Sequence, residues 1–505
     1  MTGTTVSLDE SPDAAAIAAL ARGARLELGP AARARVAAGR RIVEALSERG
    51  IRGYGINTGV GALCDTIIPL EEQRALSRRI LFSHACGLGA PLGRAETRAV
   101  MAAQLSGFAK GASGVRPELV EALAALLNAD LLPLVPSRGS VGYLTHAAAI
   151  GLVLIGAGAA IGPDGARLAG GAAMAAIGRQ PLVLEAKEGL SLVNGTPCST
   201  GLACLALDRL ARLLDWADAA AAMTCESLGA QAGAFDAETL ALRRSDGLQA
   251  VGARLRALLA GSPLVAARAG RRTQDPLSLR AVPQIHGAVR DALAQALPVV
   301  ERELASVTDN PAVGGTPQAP EVRSQAHAVA AALGLALDGL GVAAAELAAI
   351  AERRIDRLVN PLVSGLPAFL AEAGGTFSGF MIAQYTAAAL VAENRRHALP
   401  ASLDGGITSA LQEDMLTHAT PAAVKLLAIL DNLRDVIAIE LLAAAQAYEF
   451  QAGGRAPGTD ALYARIRALV PAYRDDRPLS GDIAALGPLL ESPAFPGETM
   501  RPAFG

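Results

Sequence analysis

Aromatic side chains are scarce: Phe, Trp and Tyr make up 3% of the 505 residues, and Trp216 is the single tryptophan. A chain that is 51% apolar with so few rings must build its interior from Ala, Leu, Val and Ile, whose small volumes let helices approach closely. The five cysteines (Cys64, Cys86, Cys198, Cys204, Cys225) are odd in number and contain no C-x-x-C pair, which argues against a disulfide framework and a structural zinc site. The six histidines (His84, His146, His286, His327, His397, His418) show no H-E-x-x-H or similar spacing, so no catalytic metal is expected. Blocks of like charge are also missing. With 45 basic against 48 acidic residues and a net charge of -3, neither nucleic acid nor an anionic membrane surface is an expected partner. The first residues, MTGTTVSLDESPDAAA, carry early acids and no basic-then-apolar signature, so no secretory signal is expected and the predicted compartment is the cytoplasm. One charge-free stretch, between Arg138 and Asp164, is long enough to cross a bilayer. Its content is mostly Ala and Gly with Ser140, Thr145 and His146 inside, which predicts a buried helix of a soluble protein.

What the chain does have is helical pattern. Its length sets an expectation of about three domains. Ala/Leu-rich segments at 201–234, 284–307, 325–358, 378–399 and 421–451 predict a mainly α fold with a central bundle of long helices. The 325–358 segment ends in the charged run E-R-R-I-D-R (352–357) ahead of Asn360-Pro361, a stop signal. The expected organisation is a mixed N-terminal domain over 1–195, the bundle over 196–455, and a small C-terminal helical layer over 456–505. Gly- or Pro-containing pieces at 53–63, 136–142, 193–201, 308–320 and 400–409 interrupt the helices, and such irregular segments are where catalytic groups tend to sit.

Taken singly, these pieces are ambiguous. Y-G-I-N-T-G-V-G (54–61) lacks the G-K-[ST] of a phosphate loop, and fits either a loop presenting Tyr54 as a general base or a tyrosine packed at a turn. In Q-D-P-L-S-L-R (274–280), Arg280 could clamp a carboxylate through its planar fork or serve as a structural arginine. Asn194 and Asn310 stand at element boundaries where capping is the commoner job, and Glu413 follows an apolar stretch where surface exposure would explain it.

In this order, however, the segments resemble the aromatic amino acid ammonia-lyases, and their histidine-type branch in particular. The resemblance rests on Y-G-I-N-T-G-V-G (54–61), S-H-A-C-G-L-G (83–89), P-S-R-G-S-V-G (136–142), N-G-T-P-C-S-T (194–200), Q-D-P-L-S-L-R (274–280), D-N-P (309–311), E-R-R-I (352–355), S-G-F-M-I-A-Q (378–384) and S-A-L-Q-E-D (409–414), and covers most of the chain. It implies a largely helical homotetramer with each active site built from several subunits, and elimination of an amine and a β-proton to leave an acrylate. Carried over by motif, Tyr54 is the β-proton base, Arg280 holds the substrate carboxylate, and Asn194, Gln274 and Asn310 are polar site residues. His84 and Glu413 stand where the histidine branch carries its ring-recognising pair, which implies an imidazole-bearing amino acid.

One departure bears on the chemistry. In the family G-S-V-G is followed by Ala-Ser-Gly, which cyclises into a methylidene-imidazolone electrophile; here Gly142 runs straight into Tyr143-Leu144-Thr145-His146. That group is expected only if three residues belong after Gly142 that this sequence does not carry, and as written no cofactor is expected. Leu277 and Ser324 also stand where relatives have aromatics, and Tyr143, beside the vacated position, becomes a second catalytic candidate. Without the electrophile, elimination is easier from a quaternary nitrogen, which has no acidic N–H and leaves as a neutral tertiary amine. The expected activity is therefore a carbon–nitrogen lyase of ergothionase-like type, acting on a trimethylated betaine such as ergothioneine or hercynine and releasing trimethylamine. The alternatives are an ordinary histidine ammonia-lyase with the triad restored, and an inactive structural relative.

Overall fold

The computed structural model describes residues 4–403 and 405–495. Its packing divides the chain into two units that interleave in sequence: Met1–Asp208, Leu297–Asp338 and Pro400–Val424 form the first, and Arg209–Ala296, Gly339–Leu399 and Lys425–Gly505 the second. Linear boundaries near 195 and 455 do not coincide with this division, which falls inside the long helices. Those helices are Pro197–Leu228, Val282–Ala305, Ala331–Val359 and Ala419–Tyr448, with Met381–His397 lying wholly in the second unit. The fold is mainly α, as the periodicity requires.

The first unit is the mixed one. Helices Gln73–His84, Arg94–Ala109, His146–Leu154 and Glu188–Val193 pack among short strands, of which Leu88–Pro91 pairs antiparallel with Pro136–Arg138 and Ala312–Gly315 with Pro320–Arg323. The charge-free stretch after Arg138 does not form one long helix. Glycines at 139, 142, 156 and 158 adopt positive φ and divide it, leaving the nine-residue helix His146–Leu154 followed by the strand Ala159–Ile161. Small residues set the helix spacing here. A Cβ on Gly201 would lie 2.5 Å from the Ala99 carbonyl oxygen, so only glycine permits that approach.

The second unit is a bundle whose core carries charge as well as Leu and Ala. Arg354, fully buried, grips Glu440 with two bonds of 2.6 and 2.9 Å, and Thr224 donates to the same carboxylate at 2.8 Å. His286 Nδ1 lies 2.7 Å from Asp218, its Nε2 lies 3.3 Å from Arg354, and Arg290 donates to Asp218 as well. The four long helices are thereby pinned in register by polar groups that have no water to turn to.

Candidate functional site

Tyr54 sits on a loop that holds itself closed. Asn57 accepts from Gly53 N–H at 2.8 Å and donates to the Ile51 carbonyl at 2.9 Å, while Thr58 Oγ1 accepts from Gly55 N–H at 3.1 Å. Gly55 has φ +62, and a Cβ there would strike Leu190 at 2.2 Å, so this turn requires glycine. The Tyr54 hydroxyl accepts from Gly61 N–H at 2.8 Å, and Ser409 Oγ accepts from Ala62 N–H at 3.0 Å. A tyrosine that serves as general base is helped by a lowered pKa. The structure instead holds it above the usual value: burial dominates, the Gly61 N–H opposes it, and the Glu413 and Cys64 charges add to it.

Glu413 is the hub of this cluster. It closes a turn with Thr408 through paired backbone bonds, and across that turn Ser409, Ala410 and Leu411 all have left-handed φ of 49° to 73°. Non-glycine residues pay for that conformation only where surrounding structure enforces it, and such strain is found at ligand-presenting turns. Glu413 Oε2 accepts from the Tyr143 hydroxyl at 3.0 Å and from Thr408 Oγ1 at 3.2 Å; Oε1 has no donor among the described residues. Tyr143 is 8% exposed, and burial followed by the Glu413 charge raises its pKa. Its hydroxyl is a donor to Glu413.

His84, the last residue of the helix Gln73–His84, has Nδ1 2.8 Å from the Ile80 carbonyl oxygen. A carbonyl only accepts, so Nδ1 carries the hydrogen and Nε2 keeps a lone pair. Burial lowers the His84 pKa, and the Ile80 bond and the Glu413 charge only partly restore it, so the ring is neutral at pH 7. Tyr54, Tyr143, His84 and Glu413 thus converge from four separate stretches of sequence.

The two asparagines form a second group in the same unit. Asn194 follows the helix Glu188–Val193, donates through Nδ2 to the Asn310 carbonyl, and accepts from Gly195 N–H at 2.7 Å. Asn310, in a cis peptide bond with Pro311, accepts from Gln325 N–H at 2.9 Å through its side chain. Gln274 and Arg280 lie in the second unit: Gln274 is exposed, and the Arg280 Nε is buried with no hydrogen-bond partner among the described residues. Sequence reasoning missed Thr408 and Lys187; the Lys187 partner Asp309 is 122 residues away. Ser409, inside S-A-L-Q-E-D, and Asp309, inside D-N-P, lay in recognised motifs but were given no role.

The residues after Gly142 do not fit the family's electrophile. Ser140 Oγ accepts from Gly142 N–H at 3.1 Å and donates to the Tyr143 carbonyl at 2.7 Å, while the Val141 and Gly142 carbonyls accept from His418 N–H and Thr420 Oγ1. No Ala-Ser-Gly stands there to cyclise. The triplet does occur at Ala112-Ser113-Gly114, but its carbonyls are committed to a turn, Ala112 accepting from Val313 N–H and Ser113 from Lys187.

Comparison with known proteins places this helical fold. The aromatic amino acid lyase family model matches residues 13–468, and the chain belongs to that family. It is 47% identical over 481 residues to histidine ammonia-lyase of Symbiobacterium thermophilum, covering 94% of each chain. The crystal structure of histidine ammonia-lyase from Trypanosoma cruzi superposes with a TM-score of 0.88 at 34% identity, covering 96% of this chain and 93% of that one. Ergothionase from Treponema denticola, an ergothioneine-degrading enzyme, superposes equally well, at 0.88, but at 25% identity, covering 96% and 98%. The protein is a carbon–nitrogen lyase of the histidine-type branch.

Proposed function

We propose that this protein eliminates the α-amine of an imidazole-bearing amino acid, with L-histidine the substrate and ammonia the leaving amine. The observation that carries the reading is that the Glu413 charge acts on the His84 ring. With His84 Nδ1 committed to Ile80, the pair offers a ring two acceptors, which match the two N–H groups of a protonated imidazole. A cationic ring draws electrons from the β-carbon and eases removal of its proton. Tyr54 is the base in this scheme, and Arg280 the carboxylate clamp. Burial raises the Tyr54 pKa, so the cation that favours its phenolate comes from bound substrate. The names of the relatives at high identity support histidine, and they support it better than the betaine expected from the sequence, whose nearest counterpart among the structures reported above is the more distant ergothionase.

The betaine remains as a second reading because one observation favours it: the direct Gly142–Tyr143 junction supplies no electrophile to activate an ordinary ammonium group. A trimethylammonium group needs none, and would rest against the Tyr54 and Tyr143 rings and the Glu413 carboxylate. Incubation with L-histidine, hercynine and ergothioneine, following the conjugated acid by absorbance and the amine by chemical assay, separates the two. Ammonia from histidine supports the first, and an encoding gene with three further codons after Gly142 would explain it. Trimethylamine from a betaine alone, with an intact mass matching 505 residues, replaces it with the second. Turnover of none of the three defeats both.

Assembly into a homotetramer belongs to the same proposal. Along the helix Ala331–Val359, residues Ala332, Leu335, Gly339, Val342 and Glu346 recur at alternating three- and four-residue spacing and are exposed, Leu335 by 62% and Val342 by 50%. A seam of that period suits close packing against another helix. Light scattering showing a stable monomer at micromolar concentration would contradict it.

A further inference from the structure

We infer that Lys187 is a positioning residue, which sets the two substrate-side asparagines through the buried carboxylate of Asp309. Lys187 is 1% exposed and Asp309 6%. The Lys187 ammonium donates all three of its hydrogens: to Asp309 Oδ2 at 2.8 Å, to Ser191 Oγ at 2.9 Å and to the Ser113 carbonyl at 2.9 Å. These partners are the contacts that matter to the asparagines. Ser191 belongs to the helix Glu188–Val193, whose following residue is Asn194, and Lys187 itself, in left-handed conformation with φ 71°, is the cap residue that begins this helix. Asp309 immediately precedes Asn310, and Asn194 Nδ2 donates to the Asn310 carbonyl. One ammonium therefore fixes both ends of the Asn194–Asn310 contact.

A second clamp works from the other side of the turn. Gln325 Nε2 donates to the Asp309 carbonyl at 2.6 Å and Gln325 N–H to Asn310 Oδ1 at 2.9 Å. The turn is thus held on its side-chain face by Lys187 and on its backbone face by Gln325. A purely structural pair would have no need of this arrangement, since buried ion pairs add little net stability over apolar packing of the same volume. Their better use is in fixing one geometry among several, and displacement of a substrate-holding group by about 1 Å costs on the order of 10²-fold in rate.

The inference rests on the reading that Asn194 and Asn310 face substrate, and the test keeps the two apart. Lys187→Met alone leaves Asp309 buried without a counter-charge and risks misfolding. The informative variant is Lys187→Met/Asp309→Asn, which removes both charges together. Its thermal midpoint and oligomeric state should match the parent, while kcat/KM, on whichever of L-histidine, hercynine and ergothioneine the parent turns over, falls at least tenfold, with most of the loss in kcat. Gln325→Leu should give a smaller loss of the same kind. Asn194→Ala and Asn310→Ala are measured alongside. If the asparagine variants lose activity but the double variant keeps kcat within twofold, the positioning role is wrong and the site stands. If the asparagine variants also keep full activity, or the parent turns over none of the three compounds, the site reading falls and the inference with it. A double variant that loses stability in step with activity makes Lys187 a structural residue and overturns the inference as well.

Discussion

His84 and His286 are both histidines whose pKa burial pushes down, yet they sit in networks of opposite character. His286 spends both ring nitrogens, one beside Asp218 and one beside Arg354, inside a group of buried charges that pair with one another. His84 spends one, and its Nε2, like Glu413 Oε1, has no partner among the described residues. A shifted pKa is therefore common to structure and function, and the unfilled valence separates them. The same contrast holds between the carboxylates. Glu440 is closed off by Arg354 and Thr224 in the bundle, whereas Glu413 stands on a strained turn in the first unit and is half exposed.

The largest effect expected from this contrast is on stability. Arg354→Met strands Glu440 in the interior of the second unit, and the unfolding free energy should fall by about 3–5 kcal/mol, the usual result of breaking a buried pair from one side. Replacing Glu440 by Leu in the same chain should restore much of it. Urea unfolding of the single and double variants checks both. Activity lost from Arg354→Met with stability intact would mean that the closed network takes part in catalysis, and the contrast would fail.

Tyr54→Phe reverses the pattern. The ring keeps its packing, so folding is retained and only the bond from Gly61 N–H is lost. Turnover should fall at least ~10²-fold, the scale of a general base. Activity close to the parent's would place the base outside residues 53–63. Arg280→Lys comes next: charge is kept but the planar two-point contact is not, and kcat/KM should drop by about 2 kcal/mol. A change under threefold would mean that Arg280 does not hold the carboxylate.

How far the sequence foretells these results follows from the distance to each partner. Local pattern suffices for the helices, whose Ala/Leu periodicity locates them to within a few residues in most cases. The exceptions have tertiary causes. The helix expected from 325 begins at Ala331, because Gln325 spends its backbone N–H and side chain on the Asn310 turn. E-R-R-I-D-R reads locally as a charged helix end, but Arg354 within it is fully buried against Glu440, 86 residues later. In the site, the motif resemblance picks out Tyr54, His84, Asn194, Asn310 and Glu413, and the structure gathers them in one unit. What it does not foretell is their surroundings: burial, with the Glu413 charge added, raises the pKa of both Tyr54 and Tyr143, and Glu413 lies more than 250 residues from either. Lys187 shows no signal at all, because a buried lysine looks like any other until Asp309 is set beside it.

The smallest effect is on the pH dependence, and its sign follows from the direction of the histidine shifts. Unfolded, an imidazole takes up a proton near pH 6.5; folded, His286 does so only at lower pH, because burial in the bundle outweighs the Asp218 bond. Above pH 6.5 both states are neutral and His286 costs nothing. As pH falls below 6.5 the unfolded chain gains the proton first, so stability declines until the folded pKa is reached, by at most about 1.4 kcal/mol per pH unit for this one group. His84 and His146, also shifted down by burial, act in the same direction. Asp218, held down to about 2 chiefly by Arg290 against its burial, loses its own contribution only below the ordinary carboxylate range and leaves the upper window to the histidines. Urea midpoints between pH 7.5 and 5 should therefore fall with acid, and His286→Gln should flatten that slope while leaving the pH profile of turnover in place. His84→Gln should do the reverse, changing the acid limb of kcat/KM far more than the slope of stability. If both variants moved both profiles alike, the closed network of the bundle and the open one around Glu413 would be a single coupled system, and unfilled valence would no longer tell a site from a core.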